Sequence, residues 1–250
     1  MAVTRFPLGI LLHGCVRSVL QQGSWNFERM QNLGFIYQLL PGLRRIYGPT
    51  LPAEVLQRHT EYFNTHPYMA TWVAGTVLRL EEKQAAGEAV PLDAAAFRSM
   101  VMAPYAAMGD ALFWGGLRPL AAVAALLLAI HGEMWAPLLL LVMFNVPHLV
   151  CRCSGWLLGY RQELASAELL QRLRLPDAAI WLKEATIVLL GILCALLAAR
   201  GCEHQELAPF WGLILLPVIL FFAWLSRRGV TSFSLVVLIT ASLLGLALIF

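Results

Sequence analysis

A small set of polar side chains is placed within a strongly apolar sequence. Carboxylates accept hydrogen bonds and amides both accept and donate them, so these residue types suit hydrogen-bonded recognition of a ligand. Polar residues within apolar membrane segments usually face a bundle interior or a pathway. The candidates lie in residues 23–35 and in three later segments, and they are Glu28, Arg29, Gln31, Asn64, Thr65, Asp110 and Asn145.

Most of these candidates also have a purely structural explanation. Glu28 and Arg29 can form an ion pair or a helix cap at a membrane surface. Asp110 follows a glycine, a pattern that is ordinary in turns, and Asn64 can cap the end of a helix. Asn145 is harder to explain in this way because it lies in an apolar run.

Motifs for catalysis and for metal or cofactor binding are not found. The sequence has no nucleotide-binding loop, no Gly-x-Ser-x-Gly and no His-Glu-x-x-His. His59 and His66 would share a helix face only if the helix continued beyond Asn64, so no metal site is expected. The five cysteines form no Cys-x-x-Cys pair and do not indicate a disulfide framework. We therefore expect no catalytic residue, no metal and no cofactor.

The composition indicates a membrane protein. Hydrophobic residues make up 59% of the chain, charged residues 13%, and the mean hydropathy is +0.69. The formal charge of +3 is spread thinly along the chain, so no nucleic-acid surface is predicted.

The elements that position the candidates are predicted to be helices. Residues 1–22 suit an amphipathic surface helix, and Gly23 and Ser24 can open a second helix that Pro41 closes. Two apolar runs are divided by His131-Gly132-Glu133. Three stronger spans are predicted near the end of the chain, at about residues 179–199, 207–225 and 230–250.

Two segments are predicted to form interrupted or re-entrant hairpins. In residues 53–80 the apolar run is too short to cross a bilayer of about 30 Å, and residues 81–93 are predicted to be a solvated loop with Asp93 as the next helix cap. Residues 94–118 are interrupted at Pro104, at Gly109-Asp110 and at Gly115-Gly116. Irregular backbone at membrane depth persists only where protein buries it or a polar cavity solvates it, so these breaks favour a functional role.

The predicted fold is therefore all-α. We expect a polytopic membrane protein with N-terminal amphipathic helices, two interrupted or re-entrant hairpins and about three to five spanning helices. Residues 1–177 would form an amphipathic and re-entrant core region, and residues 178–250 a three-helix transmembrane region. Arg227-Arg228 lies in a very short turn and is expected on the cytoplasmic side, which places the C-terminus outside.

Four motifs resemble those of one known family. Residues 23–35, GSWNFERMQNLGF, closely resemble the N-terminal signature of the IID membrane component of mannose-type sugar phosphotransferase systems. Residues 63–67 are similar to the family's Phe-Asn-Thr-x-Pro, and residues 109–115 with Arg118-Pro119 resemble its Gly-Asp-x-x-Phe-Trp-Gly and Arg-Pro elements. Phe144-Asn145 and residues 155–160 are similar to elements of the next membrane segment.

The resemblance implies a transport subunit of the bacterial cytoplasmic (inner) membrane. In that family the IID subunit pairs with a IIC membrane subunit to form the pathway for a hexose-type sugar, and separate IIA and IIB proteins carry the phosphoryl group. All seven candidate residues would then be substrate-binding, because a sugar offers many hydroxyls and no charge. Glu28, Asn64 and Asp110 are expected to converge beside a polar pocket shared with IIC.

Two departures from the family pattern keep an alternative open. Ala111 stands where the family commonly has Pro or Ser, and His148 stands where it has Arg. These changes favour a structural or regulatory module that retains the fold and the partner but not transport. A membrane-bound enzyme using Glu28, Asp110 or His148 as acid or base is a third class, for which no motif is present.

Overall fold

The computed structural model describes residues 7–249, and its regular secondary structure is helical. Within these residues the only β-structure is two isolated bridges, Asn26 to Met30 and Met30 to Phe63. The all-α class is confirmed. The chain divides into two compact units, Met1–Leu189 and Leu190–Phe250. The first part of the predicted N-terminal helix, residues 1–6, and the last residue of the final span, Phe250, lie outside the described residues.

Eleven α-helices occur between residues 7 and 249, together with one π-helix and two short 3-10 turns. The first unit begins with a helical hairpin and ends within the long helix α9, and the second unit contains the remaining helices. In chain order the helices are α1 Leu8–Arg17, α2 Asn32–Tyr47, α3 Ala53–His59, α4 Ala70–Ala85, α5 Ala94–Gly109, the π-helix Asp110–Leu117, α6 Arg118–Ala129, α7 Ala136–Gln162, α8 Ala165–Arg172, α9 Leu175–His204, α10 Leu215–Arg227 and α11 Ser232–Ile249.

Four helical segments in the described part of the chain are long and apolar enough to cross a membrane. They are Ala94–Ala129, Ala136–Gln162, Ala165–His204 and Pro209–Arg227. This number lies within the predicted range of spans and confirms a polytopic membrane protein.

The first unit is built around helix α4, most of which is buried. Three glycines allow α4 and α7 to approach closely. A methyl group on Gly75 of α4 would lie 2.5 Å from the carbonyl oxygen of Trp156, and one on Gly159 of α7 would lie 2.5 Å from that of Trp72. Gly155 and Gly159 form a small-x-x-x-small pattern, which is common where membrane helices pack backbone to backbone. The Thr76 hydroxyl also donates a hydrogen bond of 3.1 Å to the Gly159 carbonyl.

In the second unit, helix α10 is at least partly exposed along its whole length. Helix α10 contains no buried residue, although its side chains are almost all apolar. A helix that is apolar on every side requires lipid or a protein partner around it.

The predicted helix from Gly23 to Pro41 is wrong at both ends. Residues 23–31 form turns and bridges, and α2 starts at Asn32 and continues through Pro41 to Tyr47. Pro41 is tolerated inside α2 because a side chain from another helix replaces the backbone hydrogen bond that proline removes. Because Pro41 has no N–H, the carbonyl of Tyr37 loses its helical donor, and the guanidinium of Arg17 donates a hydrogen bond of 3.2 Å to it instead.

The expected hairpin over residues 53–80 and the loop after it also differ from the structure. Helix α4 does not turn back and extends through Glu81 to Ala85. Glu81 is fully buried. Its carboxylate is tolerated there because Arg58, His59 and the Tyr47 hydroxyl all form hydrogen bonds with it. The Asp93 cap is confirmed, since the Asp93 carboxylate accepts a hydrogen bond of 2.7 Å from the Ala96 N–H.

The second expected hairpin, over residues 94–118, is one continuous helix. The interruptions predicted at Gly109-Asp110 and Gly115-Gly116 take the form of the π-helix Asp110–Leu117, which links α5 to α6 without reversing the chain. A π-helix satisfies its backbone groups internally through i to i+5 hydrogen bonds. No polar cavity is therefore needed to solvate this backbone.

Candidate functional site

The centre of the candidate site is an amide network that joins residues 31 and 65. The Gln31 side chain donates a hydrogen bond of 2.8 Å to the Thr65 carbonyl and accepts one of 3.2 Å from the Thr65 N–H. Gln21 contacts Gln31 at 3.4 Å, and Gln38 donates to Gln21 at 2.6 Å. All four residues are buried. The Gln31 amide therefore holds the segment that begins at Phe63, and its hydrogen-bonding groups are used within the protein.

Arg29 contributes to the same junction, while the Glu28 side chain is exposed. The Arg29 carbonyl accepts a hydrogen bond of 3.3 Å from the Phe63 N–H, and the Arg29 guanidinium donates one of 3.3 Å to the Thr60 carbonyl. Glu28 is exposed, and within residues 7–249 its carboxylate has no hydrogen bond or ion pair. Arg29 thus joins this turn to residues 60 and 63, and the Glu28 carboxylate remains available within the described residues.

Residues 64–66 carry polar groups that the described residues leave unpaired. Asn64 is exposed, and its backbone N–H donates to the Met102 sulfur at 3.4 Å, while its side chain has no hydrogen bond within residues 7–249. The Thr65 hydroxyl and the Nε2 atom of His66 are buried and have no partner among the described residues. An unmatched buried polar group is costly, so such groups commonly mark a site that binds something.

This segment packs directly against the start of the π-helix. A methyl group on Gly109 would lie 2.3 Å from the Cβ and Cγ atoms of His66, so only glycine fits here. Asp110, the next residue, is exposed, and its carboxylate has no partner within residues 7–249. The segments that contain Gln31, Asn64-Thr65 and Asp110 are thus joined through Thr65 and His66.

Asn145 belongs to another part of the unit. It lies on α7, where its amide donates a hydrogen bond of 2.7 Å to the Leu141 carbonyl and its oxygen lies 2.9 Å from Nε2 of His148. The structure does not bring its side chain into contact with Gln31, Asn64 or Thr65. It is connected to them only indirectly, because the rings of His148 and Tyr68 stack with centroids 4.3 Å apart.

An aromatic cluster connects the two parts, and the sequence analysis missed it. The ring of Tyr68 lies 5.0 Å from that of Phe113 and 5.8 Å from that of Trp114, and the His66 ring stacks on Phe113 at 5.2 Å. Several members lie within the recognised motifs, which is a signal, but nothing in the sequence shows which rings meet. The cluster consists of His66, Tyr68, Phe113, Trp114, Phe144 and His148.

The protonation state of His66 follows from its surroundings. Burial, with smaller contributions from Arg152 and His148, lowers the pKa of His66 to about 4. The ring is therefore neutral near pH 7. Its Nδ1 accepts a hydrogen bond of 3.3 Å from the Tyr68 N–H, so the proton lies on the unpartnered Nε2. His66 thus presents a buried hydrogen-bond donor.

Arg152 is a second residue that the sequence did not single out. It lies on α7, is 5% exposed and donates to both the carbonyl and the hydroxyl of Ser18. Its guanidinium lies 5.1 Å from the centre of the Tyr68 ring. A cation at the C-terminal end of a helix interacts favourably with the helix dipole. Arg152 therefore holds the end of α1 and the following turn against the aromatic cluster.

A separate ionic cluster fixes α3 to α4. Arg58 lies 2.5 Å and His59 2.9 Å from the Glu81 carboxylate, and the Tyr47 hydroxyl donates to it at 2.7 Å. Burial alone would raise the pKa of Glu81, but the hydrogen bonds from His59, Tyr47 and Arg58 lower it to about 2. Burial lowers the pKa of His59. The hydrogen bond to Glu81 and the charge of its carboxylate act in the opposite direction on the pKa of His59 and offset part of this lowering.

The fold and this arrangement define a multi-pass helical membrane protein with a rigid buried amide network and unpaired polar groups beside a π-helix. Residues 10–203 match the model of the "PTS system mannose/fructose/sorbose family IID component". The chain belongs to this family, as the motifs predicted.

Individual relatives agree with this assignment. The chain is 41% identical over 150 residues to the mannose-specific EIID component of the PTS system from Escherichia coli (strain K12), a match that covers 58% of this chain and 52% of that protein. The match thus spans about half the length of this curated relative. A solved structure described only as a membrane protein has a TM-score of 0.76 and 27% identity, covering 98% of this chain and 97% of its own. A chain of the mannose transporter ManYZ in complex with microcin E492 has a TM-score of 0.60 and 28% identity. This match covers 97% of our chain and 96% of the transporter chain.

Proposed function

We propose that this protein is the IID membrane subunit of a phosphoenolpyruvate-dependent sugar phosphotransferase permease and forms the sugar translocation pathway together with a IIC subunit. The observation that carries the proposal is the set of unpaired polar groups at residues 64–66 and at Asp110, held on a rigid network beside apolar spans. Membership of the IID family and the likeness to a mannose transporter support it.

The structure refines the roles proposed for the candidate residues. Within residues 7–249 the side chains of Glu28, Asn64 and Asp110 form no hydrogen bond or ion pair, and we assign them to direct contact with sugar hydroxyls. Gln31 and Thr65 hold the Asn64 segment in place, and Arg29 fixes the neighbouring turn. Asn145 is bound to its own helix and to His148, so its contact with sugar would require that pair to open.

The partners and location follow from the same proposal. The IIC subunit completes the pathway, and IIA and IIB proteins supply the phosphoryl group to the arriving hexose. The assembly lies in the bacterial cytoplasmic (inner) membrane. This chain then contributes binding and positioning without a catalytic residue of its own.

Transport by the reconstituted assembly tests the proposal. The chain is purified with its IIC neighbour and placed in vesicles that contain the phosphocarrier proteins and phosphoenolpyruvate. Accumulation of a phosphorylated hexose that requires this chain supports the proposal. A complex that assembles but takes up no hexose would instead support the second candidate, a structural or regulatory IID-like module. The contact between His148 and Asn145 favours that candidate, because His148 stands where the resembled pattern has Arg and it engages the Asn145 oxygen at 2.9 Å.

A further inference from the structure

We propose that the first unit binds one anionic phospholipid, with part of an acyl chain in a cavity between the π-helix, α7 and α9 and the phosphate group at Arg172 and Arg174. The cavity has a volume of about 310 Å³. It is lined by residues of α4, the π-helix, α7, α8 and the start of α9. It is separate from the amide network at Gln31 and Thr65.

The walls of this cavity exclude water as its occupant. They are almost entirely apolar, and the hydroxyl of Ser154 is already bonded to the Cys151 carbonyl of its own helix at 3.2 Å. The Trp72 indole N–H has no hydrogen-bond partner among the described residues, but a single donor gives a water one hydrogen bond. A buried water requires about two to four polar partners, and apolar cavities of this kind stay dry. An apolar guest is therefore required if the space is to be filled.

The position of the cavity identifies that guest as lipid. The π-helix, α7 and α9 all belong to segments with the length and composition of membrane spans, so the solvent around them is acyl chain. Two lining residues are open to that solvent, since Val150 is 62% exposed and Leu173 is 51% exposed. An acyl chain can therefore enter from the side.

Two exposed arginines adjoin cavity-lining residues in the chain and can supply the positive charge for a head group. Leu173 and Leu175 line the cavity, and their neighbours Arg172 and Arg174 have side chains that are 80% and 79% exposed. Arg174 has a φ of +48°, in the left-handed region that non-glycine residues rarely adopt. Each arginine has one acidic neighbour, at 3.9 Å for Glu168 and 2.6 Å for Asp177. A guanidinium has five N–H donors, so both can still bind phosphate.

Native mass spectrometry of the protein co-purified with its membrane partner tests the proposal. Phosphatidylglycerol and phosphatidylcholine with identical acyl chains are added as probes. We expect one phosphatidylglycerol to be retained in preference to phosphatidylcholine. Because a basic residue near an anionic surface contributes about 1 kcal/mol, Arg172→Gln and Arg174→Gln should each lower this preference about fivefold. Arg161→Gln, an exposed charge on α7 that does not line the cavity, is the matched control.

Blocking the cavity tests the acyl-chain part separately. Val150→Trp places a large ring at the opening on an exposed position, so it leaves folding intact, and it should reduce retention of phosphatidylglycerol. Val142→Trp, also exposed on α7 but outside the cavity, should not. Equal retention of the two lipids by the unmodified protein would overturn the proposal and indicate annular lipid only. Loss of preference in the arginine variants with full retention in Val150→Trp would also overturn it, because binding would then be to surface charge alone.

Discussion

The side-chain amide of Gln31 forms two hydrogen bonds with the backbone of Thr65, one to its carbonyl and one from its N–H. This pairing imitates the contact between neighbouring β-strands and joins positions 34 residues apart. It fixes the segment that carries Asn64 and His66, and His66 in turn rests on Gly109. One buried amide therefore connects three of the four family motifs.

Replacing Gln31 with alanine should destabilise the protein. The change leaves the Thr65 N–H and carbonyl buried without partners, at a cost of about 1 to 3 kcal/mol for each group. A lowered thermal unfolding temperature of the complex with IIC checks this. Gln22→Ala, at an exposed position earlier in the same segment, serves as the control and should have little effect. Unchanged unfolding of Gln31→Ala would show that the network is not holding the segment.

Two glycines of the same helix should respond differently to alanine. At Gly109 the new methyl group would lie 2.3 Å from the Cβ and Cγ atoms of His66, which is too close unless the backbone or the ring moves. Overpacking of this kind costs about 1 to 3 kcal/mol. At Gly115 the nearest atom is the flexible end of Lys183, at 3.2 Å, so Gly115→Ala should be nearly neutral. Circular dichroism melting of both variants measures the difference, and equal melting temperatures would contradict it.

The three free polar residues should affect binding without affecting assembly. Loss of one polar contact in a buried sugar site costs about 1 to 3 kcal/mol, or roughly 5- to 150-fold in affinity. We therefore expect Glu28→Gln, Asn64→Ala and Asp110→Asn to weaken sugar binding by the complex while IIC still co-purifies. Glu54→Gln, an exposed carboxylate on α3, is the control. Lost assembly with normal sugar affinity in the surviving complex would assign these residues to the subunit interface.

Acid should destabilise the α3 to α4 junction in a defined range of pH. The pKa of Glu81 falls from its ordinary value of 4.5 to about 2 on folding. Its contribution is therefore complete above pH 4.5 and is lost as the pH falls towards 2, and it amounts to about 3 kcal/mol. Glu81→Gln should lower stability at pH 7, and its difference from the unmodified protein should shrink over that range. Parallel stability curves would show that the carboxylate is not the group responsible.

The orientation in the membrane can be tested at the C-terminus. Arg227 and Arg228 lie between two apolar helices and should remain in the cytoplasm under the positive-inside rule. A reporter fused after residue 250 should then be active on the external face. Activity on the cytoplasmic face would contradict this orientation.

Local signals in the sequence predicted one helix cap and one break between apolar helices correctly. Asp93 as a helix cap and the break at residues 131–133 depend on neighbouring residues alone, and both agree with the structure. Pro41 could not be placed correctly, because its tolerance depends on a hydrogen bond from Arg17, which is distant in sequence. Glu81 looked solvated for the same reason, since its partners come from α2 and α3.

The sequence supplied candidate residues for the site but did not show which of their side chains are already hydrogen-bonded. The motifs identified Gln31, Asn64, Thr65 and Asp110, yet residue type does not show whether an amide is free or already bonded. The form of the break after Gly109 was also hidden, because a glycine followed by a polar residue suits a turn, a hairpin or a π-helix equally.

The π-helix also sets the rotation of α6 about its own axis. Its i to i+5 hydrogen bonds accommodate one residue more per bonded turn than the flanking α-helices do, and one residue corresponds to about 100° of rotation in an α-helix. Removing a single residue between positions 110 and 117 would therefore turn α6 about its own axis by roughly that angle. Ala121, Val123 and Ala125, which are now buried, would then leave their present positions. The extra residue therefore keeps the buried face of α6 turned towards the residues that it packs against.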